Sequence, residues 1–137
     1  KFGWPPDIIH CHGWMTSLIP FYLKSAYKNE PLFQNSRVIY SIYDKTLEDT
    51  FPDNFLDKAS INNLTAEDLS AYNNEEGITL HQGAVEFADG VIKGSEVIQN
   101  SVTKALEEAG KPVLDYLGEE YLANYFEFYQ EILGLEV

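Results

Sequence analysis

The sequence has little cysteine, few basic residues and no long apolar run, and each shortage excludes a class of protein. The single cysteine, Cys11, excludes an internal disulfide framework and is typical of a protein from a reducing compartment. No stretch is long and apolar enough to span a bilayer, so we expect no membrane segment. A basic region followed by an apolar run, which would indicate a secretory signal, is also missing. These absences predict a cytoplasmic location.

The shortage of basic residues bears on the partners of the chain. Nine lysines and arginines stand against 22 aspartates and glutamates, which gives a formal charge of −13. Such a charge repels phosphate backbones, so nucleic acid is not an expected partner. Most of the carboxylates are expected to form a solvated face, because a chain this acidic places some of them near any pocket by chance.

The residues that are present predict one packed α/β domain. The chain has 137 residues, of which 45% are apolar and 14% aromatic, enough for a single hydrophobic core. Predicted strands cover residues 7–12, 37–43, 91–93 and 113–115. Predicted helices cover residues 15–28, 79–89 and 119–133, with Gly90 ending the second. A further helix is predicted with Ser95 as its N-cap and an apolar stripe from Ile98 to Ala109. The polar segment 44–77 contains one short helix, starting at Thr65 with Asp68 as its capping partner.

Strands that alternate with helices imply right-handed crossovers and a mostly parallel sheet with its strands in sequence order. His12, Tyr43 and Gly94 then lie along one edge of the sheet, where ligands of open α/β sheets bind. The connecting helices all fall on one face of such a sheet, and only the aromatic helix at the carboxyl end is left to cover the other. We therefore expect self-association or a companion segment that completes the sheet.

The triplet from His10 to His12 is the clearest candidate for a metal site, but strand geometry opposes it. In a strand the two histidines point to one face and Cys11 to the other, and His81 is the sole further histidine. We therefore predict no metal and no cofactor. His10 is expected to be a hydrogen-bonded core residue, and His12, at the end of the strand, is expected to contact a ligand.

Two features near the predicted strand ends have more than one interpretation. Trp14 is suited either to stacking on a sugar ring or to covering the core. Gly13, and the pair Gly94 and Ser95, are turns that place backbone N–H groups at a predicted helix start, which suits an anion such as a phosphate. Neither turn matches a complete phosphate-binding fingerprint, and no catalytic triad is evident, so no catalytic residue is predicted.

Three segments resemble glycogen and starch synthases. The first lies where the family has His-x-His-Asp-Trp-His followed by Leu-x-Pro-x-Tyr-Leu. Here it reads His10-Cys11-His12-Gly13-Trp14-Met15 and then Leu18-Ile19-Pro20-Phe21-Tyr22-Leu23. The second is Ser41-Ile42-Tyr43-Asp44, with Phe51-Pro52 after it, where the family has Thr-x-His-Asn and a later Phe-Pro. The third is the segment 83–92, which is similar to Lys-Ala-Gly-Ile-x-Tyr-Ala-Asp-x-Val.

This resemblance implies a fold and a reaction. The family fold is a Rossmann-like parallel sheet with flanking helices, and these segments belong to the amino-terminal domain of a two-domain GT-B glycosyltransferase. The chain would then be a single Rossmann-like domain over residues 1–137, or the carboxyl-terminal part of one. Family members transfer glucose from ADP- or UDP-glucose to an α-1,4-glucan, so a nucleotide-sugar and an α-glucan are the implied partners.

Taken together, the sheet edge and the resemblance give a set of substrate-binding candidates: His12, Gly13, Trp14, Tyr43, Asp44, Gly94 and Ser95. Gly13 replaces a family aspartate and Tyr43 a family histidine, and donor binding in the family lies mostly in a carboxyl-terminal domain. The first hypothesis is therefore a glucosyltransferase domain that is inactive as an isolated chain. The alternative is a non-catalytic module that binds glucan, a nucleotide-sugar or another protein.

Overall fold

The computed structural model describes residues 3–44 and 51–135 of the chain. Its strands are β1 Ile8–His12, β2 Arg37–Ile42, β3 Asn73–Asn74, β4 Gly77–Ile78, β5 Gly90–Lys93 and β6 Val113–Leu114. Its α-helices are α1 Ile19–Lys24, α2 Phe55–Ala59, α3 Leu80–Phe87, α4 Asn100–Ala109 and α5 Tyr121–Leu133. Two 3-10 helices are also present, at Trp14–Thr16 and Ala66–Tyr72. No helix within the described ranges is both long and apolar enough to cross a membrane.

The main sheet has the predicted order and direction. Its strands run β1-β2-β5-β6, all neighbours are parallel, and β3 and β4 form a separate antiparallel pair. Strand β2 is central and is covered on both faces, so from Val38 to Ile42 its residues are at most 1% exposed. The predicted α/β class with a parallel sheet and flanking helices is confirmed.

The connecting helices cover one face of the sheet. Cys11, Tyr40 and Val91 project from three neighbouring strands into a buried cluster with residues of α3 and α4. The helical members of this cluster are Ala84, Val85, Val102 and Leu106. Burial raises the pKa of the Cys11 thiol to about 11, so this cysteine is a small apolar core residue rather than a nucleophile.

Helix α5 covers the opposite face, as the predicted topology requires. Phe128 packs on Ile39 and Ile92 in a second buried cluster. Gly90 allows this close approach, because a Cβ atom at this position would lie 2.7 Å from Cδ1 of Ile132 and 3.1 Å from the Phe128 ring. Gly90 is the first residue of β5, and its missing side chain lets α5 pack close to the sheet. The prediction that Gly90 ends the preceding helix is wrong, because α3 ends at Phe87.

His10 links β1, β2 and α5 through hydrogen bonds. Its Nδ1 lies 2.6 Å from the Tyr129 hydroxyl, and its Nε2 lies 2.6 Å from Oγ of Ser41. Burial, with a smaller contribution from His12, lowers the pKa of His10 to about 4. The ring is therefore neutral at pH 7 and suited to one donated and one accepted hydrogen bond, which confirms the predicted hydrogen-bonded role.

The predicted helix over residues 15–28 is broken in two. A 3-10 helix ends at Thr16, and α1 begins only at Ile19, with Pro20 in its first turn. Proline is tolerated there because its missing N–H has no partner within the helix in any case. At the far end α1 stops at Lys24, whose ammonium group pairs with Asp89 at 2.6 Å.

Lys111 caps the end of α3 from outside the helix. Its ammonium group donates to the carbonyl oxygens of Val85 at 3.0 Å and Ala88 at 2.8 Å, and also to that of Glu86. A cation at this end interacts favourably with the helix dipole and satisfies carbonyl groups that have no partner within the helix. The helix therefore ends at Phe87 without a glycine.

The segment 51–77 is more structured than its polar composition indicated. The predicted capping box forms, because the Asp68 carboxylate accepts from the Thr65 backbone N–H at 2.7 Å, but the helix that it starts is of the 3-10 type. Helix α2 and the β3–β4 pair were not predicted. Residues 45–50 lie outside the described ranges.

Tyr72 attaches this segment to the rest of the domain. The side chain is fully buried, and its hydroxyl donates to the Ser17 carbonyl at 2.6 Å. Its ring lies flat against Gly83 in α3, where an added Cβ would be 2.3 Å from a ring carbon. The absence of a side chain at Gly83 is therefore necessary for this contact.

We predict that Gly83→Ala destabilises the protein, although alanine is the better helix former. The helix preference favours alanine by about 1 kcal/mol. Against it, the clash with a buried and hydrogen-bonded ring should cost about 2–3 kcal/mol, the upper part of the usual range for overpacking. Urea unfolding should therefore show a net loss of stability. In a Tyr72→Leu background the same substitution should become neutral or stabilising, and an equal loss in both backgrounds would contradict the proposed contact.

We also predict that His10 makes stability depend on pH. Its pKa is lowered on folding, so the unfolded chain binds the additional proton and stability falls as pH decreases from about 6.5 towards about 4. The loss should be on the order of 2 kcal/mol relative to His10→Gln, in which this group does not titrate. Parallel urea titrations of the two proteins at several pH values measure the difference, and superimposable pH profiles would contradict the assignment.

Candidate functional site

The carboxyl ends of the parallel strands form a cleft at one edge of the sheet. Its lining includes His12, the last residue of β1, and Tyr43 and Gly94, which follow β2 and β5, together with Lys93. The opposite wall comes from the loop after β6 and the start of α5, through Tyr116, Leu117, Gly118, Tyr121 and Tyr125. Its volume is about 340 Å³. We call it the sheet-edge cleft, and it lies where ligands of open α/β sheets bind.

His12 and Tyr43 form the floor of the cleft. The Tyr43 hydroxyl lies 2.8 Å from Nδ1 of His12, and the Tyr43 ring lies flat on Gly94, where a Cβ would be 2.4 Å away. The His12 ring also stacks on His10 at 3.9 Å. Burial lowers the pKa of His12, so the imidazole is neutral at pH 7. The pair therefore presents uncharged hydrogen-bonding groups.

Asp44 and Ser95 lie beside the cleft and contact each other. The Asp44 backbone N–H donates to Oγ of Ser95 at 3.0 Å, which joins the loops that follow β2 and β5. The prediction that Ser95 caps the next helix is wrong, because α4 begins at Asn100 after an extended stretch. Without a helix start at this turn, the predicted anion site at Gly94 and Ser95 loses its physical basis.

Gly13 and Trp14 turn the chain away from the cleft. Gly13 has φ 75° and ψ 175°, and its N–H donates to the Ser41 carbonyl at 3.0 Å. The helix that follows is a 3-10 turn of three residues, too short for a helix dipole that would bind an anion. Trp14 lines a different cavity, beside α3 and α4. Of the seven predicted site residues, His12, Tyr43 and Gly94 thus line the sheet-edge cleft. Gly13, Asp44 and Ser95 are not among its lining residues, and Trp14 lines the other cavity.

Sequence analysis did not identify the three tyrosines on the opposite wall of the cleft, which we call the tyrosine wall. Tyr116, Tyr121 and Tyr125 supply most of its aromatic surface. A signal for them was available, because the loop after the fourth predicted strand must lie at the same sheet edge as the other strand ends. Lys93 was also not predicted as a site residue. It is the last residue of β5, and its ammonium group pairs at 2.7 Å with Asp115, which follows β6.

The chemistry of the cleft suits a hydroxylated ligand. Tyrosines offer flat apolar faces together with hydroxyl groups, and His12 adds a neutral ring nitrogen. The positive charge of Lys93 is largely compensated by Asp115. Within residues 3–44 and 51–135, no three His, Cys, Asp or Glu side chains converge as ligands of a metal ion. Stacking and hydrogen bonding are thus the interactions that the cleft provides.

Comparisons with known proteins agree with this architecture. The family model of the starch synthase catalytic domain matches residues 1–115. A glycogen synthase of Pelodictyon phaeoclathratiforme is 30% identical over 130 residues, which are 92% of this chain and 25% of that protein. A glycogen synthase of Desulforamulus reducens is 30% identical over 82% of this chain and 22% of its own length. Glycogen synthase 2 of Geobacter metallireducens is 33% identical over 70% of this chain and 20% of its own length.

The chain thus spans a quarter or less of the length of these curated relatives. The match nevertheless includes every strand of the main sheet and the three loops that form the floor of the sheet-edge cleft. On this evidence the chain belongs to the starch synthase catalytic domain family.

Proposed function

We propose that the chain is a glucosyltransferase domain of the glycogen and starch synthase type, and that its sheet-edge cleft binds a glucose unit of a nucleotide-sugar or of an α-glucan. The observation that carries the proposal is the convergence of His12, Tyr43 and Gly94 at the carboxyl ends of three strands that the family model matches. The neutral imidazole and the tyrosine wall are suited to sugar hydroxyls and to the apolar face of a sugar ring.

We further propose that the chain by itself does not transfer glucose. The family pattern has an aspartate at the position of Gly13 and a histidine at that of Tyr43. Glycine supplies neither charge nor a side-chain hydrogen bond, and a phenol does not become a cation as imidazole does. In addition, the Tyr43 hydroxyl is already bound to His12. Without these groups, charge that develops at the reacting sugar lacks its usual stabilisation.

The relatives supply a second reason. They are at least four times the length of the segment that matches them, and in this family the nucleotide-sugar is bound mostly by a carboxyl-terminal domain. Transfer therefore requires a further segment or a partner that provides the donor site. ADP-glucose and UDP-glucose are the donors that this proposal implies.

The tyrosine wall also favours the second candidate function, a non-catalytic module that binds glucan, a nucleotide-sugar or a protein. Tyr121 is 42% exposed although it lines the cleft, so an aromatic surface is available without any movement of the chain. Binding needs only this surface and the hydroxyl groups, whereas catalysis needs the missing charged groups.

The lateral edge of the sheet, formed by β1, supports a proposal about assembly. Within the described ranges β1 pairs only with β2. The bonds from Arg37 N–H to the Asp7 carbonyl and from Gly13 N–H to the Ser41 carbonyl show which backbone groups that pairing uses. In a parallel ladder the groups of Ile8, His10 and His12 then face outwards. On α5, Leu122 and Phe126 are 73% and 62% exposed. We propose that β1 and this side of α5 associate with a second copy or with a companion segment.

We predict no glucose incorporation into glycogen by the 137-residue chain with either ADP-glucose or UDP-glucose, while calorimetry with maltooligosaccharides shows binding. Tyr121→Ala should weaken that binding about fivefold, because a stacked aromatic ring contributes about 1 kcal/mol. Radiolabelled glucose in the polymer, above a control without protein, would contradict the proposed inactivity.

The matched control for this experiment is Tyr27→Ala. Tyr27 is 41% exposed, close to the value for Tyr121, but it does not line the cleft. Its replacement should leave the affinity unchanged. Equal weakening by both substitutions would mean that the cleft is not the binding site, and no binding at all would favour a protein as partner.

For assembly we predict that sedimentation velocity detects a species larger than the monomer, and that Leu122→Glu combined with Phe126→Glu shifts it towards the monomer. Both side chains are largely exposed, so the two charges should oppose association without unfolding the domain. Val97→Glu is the control, because Val97 is 74% exposed but lies before α4. A strictly monomeric unmodified chain at high concentration would contradict self-association and leave the companion segment as the proposal.

A further inference from the structure

Helix α5 is attached to the domain more lightly than the helices on the other face of the sheet. Of its 13 residues, all of which the structure describes, one is buried, Phe128. Helix α3 buries four of its eight residues, and α4 contributes Val102 and Leu106 to the cluster that it shares with α3. On its outer side α5 leaves Leu122 and Phe126 exposed. The two faces of the sheet are therefore covered with unequal strength.

The buried cluster beneath α5 is correspondingly small. Its buried members are Ile39, Ile92 and Phe128, so removal of α5 exposes chiefly two isoleucines of the sheet. The cluster on the opposite face has ten buried members, most of them from β1, β2, β5, α3 and α4. The free energy of a local opening rises with the apolar surface that it exposes. Helix α5 should therefore separate from the sheet far more readily than α3 or α4.

A hydrogen bond supplements the packing of α5, but no ion pair does so within the described ranges. The Tyr129 hydroxyl lies 2.6 Å from Nδ1 of His10 in β1. Helix α5 has no lysine or arginine, and the ion pairs of the described residues all lie outside it. Separation of α5 from the sheet thus breaks no pair of charges. The polar groups that it frees can bond to water instead, which limits the cost of the separation.

The loop before α5 contains a suitable pivot. Asp115, at its start, is held to the sheet by the ion pair with Lys93. Beyond it, Tyr116 and Leu117 are 45% and 37% exposed, and Gly118 has φ 64° with nothing within 4 Å of the position of a Cβ. A glycine in open space accepts large changes of φ and ψ. Rotation at Gly118 can therefore move α5 without disturbing β6.

The same helix contributes to the sheet-edge cleft. Tyr121 and Tyr125 of α5 line one wall of the cleft, whereas His12 and Tyr43 on its floor belong to the sheet and to the loop after β2. We propose that α5 is a hinged cover, which rotates off the sheet about Gly118 as one unit while the strands, α3 and α4 stay folded. In the open state the cleft loses the two tyrosines of α5 and keeps its floor. Helix α5 thereby controls access to the cleft, whatever ligand the cleft takes.

Cysteine substitutions at two neighbouring residues of β5 test the hinged cover. Ile92 lies beneath α5 and Val91 lies on the opposite face beneath α3 and α4, and both side chains are fully buried. The native Cys11 is also beneath α3 and α4, so it serves as an internal reference. The measurement is the rate of reaction of each thiol with an aromatic disulfide reagent. It is made without denaturant and in dilute solution, where association through α5 does not interfere.

In Ile92→Cys protein the introduced thiol should react at least about tenfold faster than Cys11, because opening of α5 exposes only the former. In Val91→Cys protein the two thiols should react at similar rates, since both stay covered until the domain unfolds. Equal rates in Ile92→Cys would overturn the proposal. An introduced thiol that reacts as fast in Val91→Cys as in Ile92→Cys would overturn it as well.

Two hydrogen-bond deletions in the Ile92→Cys background separate opening of α5 from unfolding of the whole domain. Tyr22→Phe removes a bond of 2.7 Å to a backbone carbonyl of α2, in a part that stays folded when α5 opens. It should accelerate the reaction of Cys11 about fivefold and leave that of the introduced thiol unchanged. Tyr129→Phe removes the bond between α5 and β1, so it should accelerate both thiols about fivefold. Equal acceleration of both thiols by Tyr22→Phe would overturn the proposal.

Hydrogen exchange of the unmodified chain provides a second measurement, which needs no substitution in the core. Amides of α5 should exchange at least about tenfold faster than those of the central strand β2. Low concentrations of urea should accelerate exchange in α5 less than in β2, because opening of α5 exposes little surface. Equal protection or equal urea dependence of the two elements would overturn the proposal. Neither measurement involves a sugar, so failure of the hinged cover would leave the proposed function intact.

Discussion

The sequential order of four parallel strands is the constraint on which the rest of this structure depends. Because each right-handed crossover moves the chain in the same direction, the helices between the strands must lie on one face of the sheet. The other face then relies on α5, whose Phe128 seals Ile39 and Ile92. The close packing of α5 on Gly90 and the hydrogen bond between Tyr129 and His10 follow from this single requirement. The position of the tyrosine wall follows as well, since α5 begins at the edge where the strands end.

The parts that sequence analysis predicted correctly are those that depend on local periodicity. The β-branched run of β2 and the apolar stripe of α4 are independent of distant residues, so their elements and the strand order were predictable. The errors have a tertiary cause. Ser95 does not cap a helix because it bonds to Asp44 of another loop, and Gly90 serves the packing of α5 rather than the end of α3. Neither contact is encoded in the neighbouring sequence.

The separation of Trp14 from the other candidate residues has a similar origin. His12 and Tyr43 follow their strands towards the α5 side, whereas the turn at Gly13 directs the chain to the side of α3 and α4. Trp14 is only two positions from His12 in the sequence, but the backbone conformation of Gly13 between them places the two side chains in different cavities. The edge of the sheet therefore carries two cavities of unlike character, one rich in tyrosine and one, beside α3 and α4, that Trp14 lines.

The backbone of Gly13 limits which residues can replace it. At φ 75° and ψ 175° it occupies a region that is essentially accessible to glycine alone. Restoring the family aspartate by one codon change would therefore strain the turn that carries Trp14 and the bond to Ser41. A histidine restored at position 43 would in addition uncover Gly94, which the tyrosine ring now shields. An aspartate at position 13 and a histidine at position 43 would therefore each need further substitutions around them, so neither position can be exchanged independently of the turn and the glycine that it contacts.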